Sequence, residues 1–415
     1  MERIHDVAIA GGGIGGLTLA LALANRGVSV TVLEQASTYK PIYRGEYLQP
    51  RSQEIFDELG IGATIEAVTV PVYVSRAGTE DDGVLMDVDT RSFGALQGRN
   101  GFHRDIHGAV LAPLRRLSNV EVRMGARVVD VKRESETWSI EMPHSSLRAR
   151  ILVGADGRGS RVRERLGIVA SERRYPGAVL AVTVQLDDEP EACSENLLGT
   201  HESGLFFPLP NRKARLYLLV HEDERYAWIK SQPDRGLSHV RDRLRALFPR
   251  LASAVARIGS LSEFQNIPAY HLTTDRWVVD HAALIGDAIH CVHPALGQGM
   301  NLAIADAAEL ARVLAHALEA GRTDAETLRE YESARRSHVT YIQKDGDRSR
   351  EMLLRRDRMT VALRNRVFRN GARAQHAMRR MHAVYAGVEA PPSPLEETLL
   401  SLALVFPSFD RVLAR

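Results

Sequence analysis

The chain has 415 residues, past the roughly 250–300 at which a single hydrophobic core stops growing, so more than one domain is expected. Lys and Arg number 54 against 52 Asp and Glu, a formal charge of +2, which excludes a chain-wide nucleic-acid footprint. Only two cysteines occur, Cys193 and Cys291, too few for a disulfide framework or a four-thiolate zinc site.

The first residues, MERIHDVAIAGGG, lack the apolar h-region of a secretory signal. No run reaches the roughly 18–20 apolar residues of a membrane span. A cytoplasmic protein without an integral membrane span is expected.

In chain order, Val7–Ala10 reads as a short strand. A glycine cluster, Gly11–Gly16, follows it directly. Leu17, Ala20, Leu21 and Ala24 recur at helical spacing, which predicts a helix over Leu17–Arg26. Gly27 stands where a helix C-terminal glycine belongs. Val28–Leu33 alternates and is β-branched, hence a second strand. The opening is therefore β-α-β, the unit of a parallel sheet. The period then changes. Val70–Val74, Val84–Val88, Val120–Val122, Val128–Val131 and Trp138–Glu141 read as short strands, as do Val179–Leu186, Gly204–Pro208 and Arg215–Val220. Helix returns at Leu302–Leu318. The pattern predicts an α/β domain with a β-rich insertion. Tyr341–Arg380 reads as helical and basic, with 12 Lys and Arg against 4 Asp and Glu. Its arginines are interleaved with Met352, Leu353, Leu354, Val361, Leu363 and Val367 at amphipathic spacing, which favours a solvated or packed helix face over a nucleic-acid or membrane surface. After Pro391, Pro392 and Pro394, the apolar segment Leu399–Phe409 is expected to cover the nucleotide-binding domain or a second subunit.

Three motifs carry chemistry. The first is Gly11-x-Gly13-x-x-Gly16, enclosing Ile14 and Gly15, between strand and helix. Gly11 permits the tight turn, Gly13 lets backbone approach a pyrophosphate, and Gly16 lets helix pack on strand. The helix N-terminus offers free N–H groups to the phosphates. Glu34, followed by Gln35, lies 23 residues after Gly11 at the end of the second strand, where an acid accepts from ribose hydroxyls. This spells a dinucleotide site without choosing between NAD and FAD. The second motif is Gly286-Asp287 after the apolar run Ala282–Ile285, continuing through His290 and His293 to Pro294-x-x-Gly297-Gln298-Gly299-Met300-Asn301. An acid at a strand end can hold a polyol hydroxyl, and a glycine-rich turn opening a helix can face a ligand ring; a structural turn is the alternative. The third is Gly154-Ala155-Asp156-Gly157-x-x-Ser160-x-x-Arg163 after the strand Ile151–Val153. Alone, Asp before Gly is usually a turn.

In this order the three motifs resemble those of the single-component flavoprotein aromatic hydroxylases, the para-hydroxybenzoate hydroxylase class of FAD monooxygenases. The resemblance spans residue 5 to about 345. It implies a Rossmann-like FAD-binding domain with an interleaved β-sheet substrate domain and a helical C-terminal segment, all of α/β class. The expected division is 1–72, 100–174 and 266–345 for FAD, 73–99 and 175–265 for substrate, and 346–415 for the C-terminal helices. It assigns Gly11, Gly13, Gly16 and Glu34 to the adenosine diphosphate half of FAD, and Asp156, Gly157, Ser160 and Arg163 to both FAD and NAD(P)H. It assigns Gly286 and Asp287 to the ribityl chain, and Pro294, Gly297, Gln298, Gly299, Met300 and Asn301 to the flavin ring. Arg44 and Arg104 match two flavin-contacting arginines of the family.

The resemblance further implies an FAD-dependent monooxygenase that consumes NADH or NADPH and O2. It would hydroxylate a phenolic, quinolone-like or polycyclic small molecule through a flavin C4a-hydroperoxide, in secondary metabolism or aromatic catabolism. No side-chain nucleophile and no metal is required. Arg215 and Tyr217 share one strand face and resemble substrate-pocket positions, the alternative being an ordinary strand face. Phe207 is a further pocket candidate, with core packing as its alternative. His293 either relays protons or makes a structural hydrogen bond. The three tryptophans, Trp138, Trp228 and Trp277, are scattered, unlike the Trp-x-Trp-x-Ile-Pro of flavin halogenases. An FAD-dependent reductase or oxidase of related fold, acting for example on a prenyl chain, and a flavin-binding redox sensor are the competing readings. The chain is expected to act as monomer or homodimer.

Overall fold

The computed structural model describes residues 4–39, 45–355 and 357–413. The first strand, β1, spans Ile4–Ala10, the first helix, α1, Ile14–Ala24, and the second strand, β2, Val30–Glu34. The glycine run itself starts the helix, earlier than the apolar periodicity indicates, because Gly15 and Gly16 occupy its first turn. Gly27, with φ at +79°, closes α1, its amide bonding Ala24 O at 2.9 Å. Every residue of α1 except Gly15 is buried.

β1 lies between β2 and the long strand Ser145–Gly154, parallel to both. Ala282–Leu284 runs parallel on the far side of Ser145–Gly154, and Val120–Met124 parallel on the far side of β2. Val7–Ile9, Ile151–Val153 and Ala282–Leu284 are fully buried, as strands covered by helices on both faces must be. The register is the important feature. Ala10 lies opposite both Gly154 and Leu33, and Gly154 lies opposite Leu284. These strands therefore end at one level, and the three motifs begin there.

Two backbone contacts hold this edge together. A Cβ on Gly11, where φ is +114°, would sit 2.2 Å from Ala155 O, and one on Gly16 would sit 2.1 Å from Gly11 O. Both neighbours are backbone and cannot rotate away.

A second sheet has seven strands in the order Gln265–Ile267, Ala178–Gln185, Lys213–Val220, Glu202–Leu209, Cys193–Leu198, Val74–Thr79 and Gly83–Asp89. Its neighbours are antiparallel except for Cys193–Leu198 with Val74–Thr79. Alternation divides its faces. Leu180, Val182, Phe206, Leu216 and Leu218 form a core with Val240, Leu244 and Phe248 of the helical stretch behind it. The odd-numbered residues of the same strands point the other way.

The expected strand Val70–Val74 divides in two at Tyr73. Thr69–Val72 pairs with Gly98–Phe102, whereas Val74–Thr79 joins the seven-stranded sheet. Pro71 is tolerated because Thr69–Val72 is an edge strand with one partner. The basic stretch is three helices, Ala325–Leu354, Arg358–Gly371 and Gln375–Tyr385. Asp324 and Asp357 cap the first two by accepting from the amides of Thr327 and Thr360 at 2.9 Å. Several of its arginines pair within the chain: Arg348 with Glu397, Arg380 with Glu396 and Glu389, and Arg369 with Asp82. The final apolar segment forms the helix Pro394–Val405, whose Leu400, Ala403 and Leu404 pack on Ala374 and Ala377. It thus packs within the C-terminal helices. Among the described residues no helix is long and apolar enough to cross a membrane.

Gly16→Ala is expected to destabilise the protein by about 1–3 kcal/mol, the usual range for overpacking, and to release FAD. Thermal melting read by flavin fluorescence checks this; an unchanged melting temperature with full flavin occupancy would contradict it.

Candidate active site

The three strand-end turns line one cleft of about 480 Å³, bounded by Gly13–Gly16, Ala155, Gly157, Arg158 and Ile285–Asp287, and by Pro294 and Gly297–Met300. A Cβ on Gly13 would meet nothing within 4 Å, so backbone is presented to open space there. Gly13 caps α1, and Gln298 caps the helix Gly299–Glu319; neither side chain makes a cap hydrogen bond. Both helices therefore offer first-turn amides and positive dipole ends to an anionic ligand. Asp287 is exposed on the same cleft.

A smaller cavity of about 260 Å³ lies beside the other face of Gly12, lined by Glu34, Tyr39, His107 and Arg115. Glu34 accepts from the amides of Gly12 and Ala36, both at 2.8 Å. Tyr39 stacks on His107 at 3.8 Å between ring centroids. A carboxylate at the strand end, a flat aromatic pair and the glycine turn form the pattern that holds an adenosine. The cleft and this cavity together fit FAD. Gly11, Gly13, Ile14, Gly15, Gly16 and Glu34 would hold the adenosine and pyrophosphate; Gly286, Asp287, Pro294, Gly297, Gln298, Gly299 and Met300 would hold the ribityl chain and ring.

Other expected residues stand elsewhere. Gln35 is exposed and lines neither space. Asp156 turns inward: it accepts from Ser160 Oγ at 2.5 Å and from the amides of Arg161 and Val162 at 2.7 and 3.1 Å, capping the short helix Arg161–Arg165. Arg163 donates to Ala288 O at 2.8 Å and so ties this turn to the Gly-Asp turn. Asn301 accepts from Gln49 N and Ser52 Oγ at 2.9 and 2.7 Å and donates to Tyr47 O and Gly297 O, both at 2.8 Å, which fixes the ring loop to the strand Gly45–Leu48. Arg104 pairs with Asp105 at 3.0 Å and lines a neighbouring polar cleft with Lys213 and Arg215. Arg44 lies outside the described residues.

Arg215 and Tyr217 do share a face, but they part in position. Arg215 is buried and donates to Thr183 Oγ1 at 3.0 Å and Gln265 Oε1 at 2.5 Å. Tyr217 reaches the flavin cleft, its ring edge-on to Phe207 at 5.8 Å.

Behind the ring loop is a further cavity of about 110 Å³, about the scale that admits one aromatic ring. Its walls include Val179, Leu205 and Leu219 from the odd face of the sheet and Ala295 and Leu296 from the loop. Its polar groups are Asn196, Ser203, His221, His293, Ser349 and Arg350. Ser203 Oγ and His221 Nε2 are 3.0 Å apart. His293 Nδ1 accepts from Ala295 N at 3.3 Å, which leaves the ring proton on Nε2. Burial, reinforced by Arg350, pushes His293 down to about 4, so the ring is neutral at pH 7. Sequence reasoning missed this cavity apart from His293. The alternation 203, 205, 207 and 217, 219, 221 was the available signal.

Beneath the Gly-Asp turn lies a buried charge network. Asp306 is fully buried; its Oδ2 is 2.6 Å from His290 Nε2 and accepts from Gly286 N at 3.2 Å, while Arg335 donates to Oδ1 at 3.0 Å. Burial opposes its charge, but His290 and Arg335 outweigh burial and hold the carboxyl below its usual range. Gln298 donates to Tyr385 O at 3.0 Å, so the C-terminal helices also brace the ring loop. Among the described residues no cluster of His, Cys, Asp or Glu could hold a metal ion.

Residues 5–344 match the model of the FAD binding domain family. An FAD-dependent monooxygenase, atnJ, of Arthrinium sp is 29% identical over 377 residues, covering 86% of this chain and 87% of that one. The 3-hydroxybenzoate 6-hydroxylase 1 of Aquipseudomonas alcaligenes is 29% identical over 353 residues, 82% of this chain and 87% of that one. The crystal structure of Pseudomonas aeruginosa PqsL in complex with 2-aminobenzoylacetate superposes with a TM-score of 0.79 at 29% identity, covering 87% of this chain and 99% of that one.

Asp306→Ala leaves Arg335 buried without its carboxylate and is expected to cost about 3–5 kcal/mol. The pH dependence has a definite sign. Because the folded carboxyl titrates below its unfolded value, its stabilisation is present above about pH 4 and is lost as pH falls through the folded value. Asp306→Asn should therefore flatten the acid limb of stability against pH. Melting curves between neutral and acid pH read this; parallel limbs for wild type and variant would contradict it.

Proposed function

We propose a role for the chain as a member of the FAD binding domain family, to which it belongs: it is an FAD-dependent monooxygenase that hydroxylates an aromatic small molecule. The observation that carries this reading is the shared wall between the cleft and the cavity behind it. Pro294 lines the cleft, while His293, Ala295 and Leu296 line the cavity. A ring bound in the cavity would thus lie against the same short loop that borders the flavin site. Relatives named for aromatic hydroxylation, such as the 3-hydroxybenzoate 6-hydroxylase, support the substrate class.

Bound FAD supplies the redox chemistry and the activation of O2, with NADH or NADPH as reductant. The chain's residues bind, orient and exclude water. The amides at the starts of α1 and of the helix Gly299–Glu319 hold negative charge. Asp287, exposed on the cleft, would accept from the ribityl hydroxyls. Val179, Leu205, Leu219 and Leu296 keep the cavity apolar and exclude water from the reacting ring. His293 Nε2–H is a neutral donor toward a ring substituent. Tyr217 lines the flavin cleft from the sheet side, its ring edge-on to Phe207, and would face a substrate ring that reaches the flavin. The division of the chain into an FAD-binding part (1–72, 100–174, 266–345), a substrate part (73–99, 175–265) and a C-terminal helical part belongs to this proposal. It is supported by the two sheets and their separate cores.

The test is oxidation of NADH and NADPH by the purified yellow protein in ¹⁸O₂ with a panel of phenols, quinolones and polycyclic aromatics. Label in a product, with little peroxide, is expected. Compound-stimulated turnover without label would instead support a reductase or oxidase. Asp287→Ala should weaken FAD binding about ten- to hundredfold, the worth of hydrogen bonds to a charged group. Retained yellow colour after extensive dilution would contradict this. Tyr217→Phe should leave flavin bound and send a larger share of reducing equivalents to peroxide; unchanged coupling would remove Tyr217 from the substrate site.

A further inference from the structure

The cavity behind the ring loop has a one-sided polar lining. Among the described residues no Asp or Glu lines it, whereas Arg350, His221 and His293 do. Arg350 comes from the last turns of the helix Ala325–Leu354, beyond the residues that the family model matches.

No carboxylate of a described residue pairs directly with the guanidinium, although Asp347 and Glu351 lie near enough to favour its charge. Asp347, the carboxylate on the adjacent turn, is engaged by Arg173 at 2.9 Å, by the Tyr175 hydroxyl, and by His271 at 3.4 Å. Asp345 accepts from the Tyr385 hydroxyl, and Glu397 pairs with Arg348. Arg350 itself rests on the Tyr175 ring, 5.2 Å from its centroid, and makes no ion pair with a described residue. Burial, with Arg173, weighs against its charge and prevails over Tyr175, Asp347 and Glu351, which favour it. A partly buried guanidinium normally has a carboxylate opposite its fork of N–H donors. Arg350 instead lines a cavity whose described lining holds no carboxylate.

We propose that the substrate is an aromatic carboxylate and that Arg350 binds its carboxylate group, with the ring held among Val179, Leu205, Leu219 and Leu296. His293 Nε2–H adds a second, neutral donor. The absence of acidic residues from the lining disfavours cationic amines in the same space. This assignment rests on the aromatic monooxygenase reading and names the substrate class within it.

The experiment titrates FAD-loaded enzyme with matched pairs, 3-hydroxybenzoate against 3-hydroxybenzamide, 2-aminobenzoate against 2-aminobenzamide, and 2-naphthoate against 2-naphthamide. Perturbation of the flavin absorbance reads the Kd. An acid should bind about tenfold or more tighter than its amide, the worth of a charge-assisted pair. Arg350→Gln should erase that difference by weakening the acid alone, and Arg350→Lys should restore part of it. Flavin content and melting temperature of each variant report folding. A panel in which no acid binds tighter than its amide overturns the proposal, as does a variant that weakens acid and amide equally. The monooxygenase reading is judged separately by ¹⁸O incorporation. Labelled products from neutral aromatics with no acid preference would sink the carboxylate assignment alone. Acid-selective binding with no label in any product would sink the monooxygenase reading alone.

Discussion

The structure depends on one alignment. Three parallel strands, Ile4–Ala10, Ser145–Gly154 and Ala282–Leu284, end at the same level. Their hydrogen-bond register sets that level, and their burial on both faces makes a slip costly. The three glycine-marked turns that border the flavin cleft leave from this edge. Gly11 and Gly16 are required there because Cβ atoms would collide with backbone oxygens about 2 Å away, closer than any non-bonded pair tolerates.

A second layer stabilises the edge from below and behind. Asp306 holds the Gly286 amide together with His290 and Arg335. Asn301 ties the ring loop to the strand Gly45–Leu48, and Gln298 ties it to the C-terminal helices. A buried charge network of this kind restricts conformation more than it adds net stability. Its consequence for function is a ring loop fixed on three sides, with a cleft before it and a cavity behind it. Preorganised backbone needs no reorganisation when charge develops beside it.

The seven-stranded sheet supplies the other wall by alternation alone. In Ala178–Gln185, Glu202–Leu209 and Lys213–Val220 the even-numbered Leu180, Val182, Phe206, Leu216 and Leu218 bury against helices, which leaves the odd-numbered Val179, Leu205 and Leu219 to line the cavity by the ring loop. The C-terminal helices complete the enclosure. Several of their arginines, which in the sequence form a strongly basic run, are matched by Glu389, Glu396, Glu397 and Asp82. Arg350 borders the cavity and makes no ion pair with a described residue.

The sequence by itself determined the β-α-β opening, the three glycine-marked turns and the class of cofactor. Those features are local: a turn that needs glycine, a strand that precedes it and a helix that follows are read within a few residues. It also indicated the shared face of Arg215 and Tyr217, which period-2 alternation guarantees. Tertiary structure decided what each side chain does from that position. Asp156 caps a helix, Arg104 and Arg215 border a different cleft, and Arg215 bonds Thr183 and Gln265. The substrate cavity was legible only in part, because its walls come from several stretches spread over 178 residues, between Pro176 and Leu354. Val179, Leu219 and Arg350 are ordinary members of a strand or helix until the chain closes around them. Local chemistry is written in adjacent residues, whereas a pocket is a long-range contact, and only packing brings its walls together.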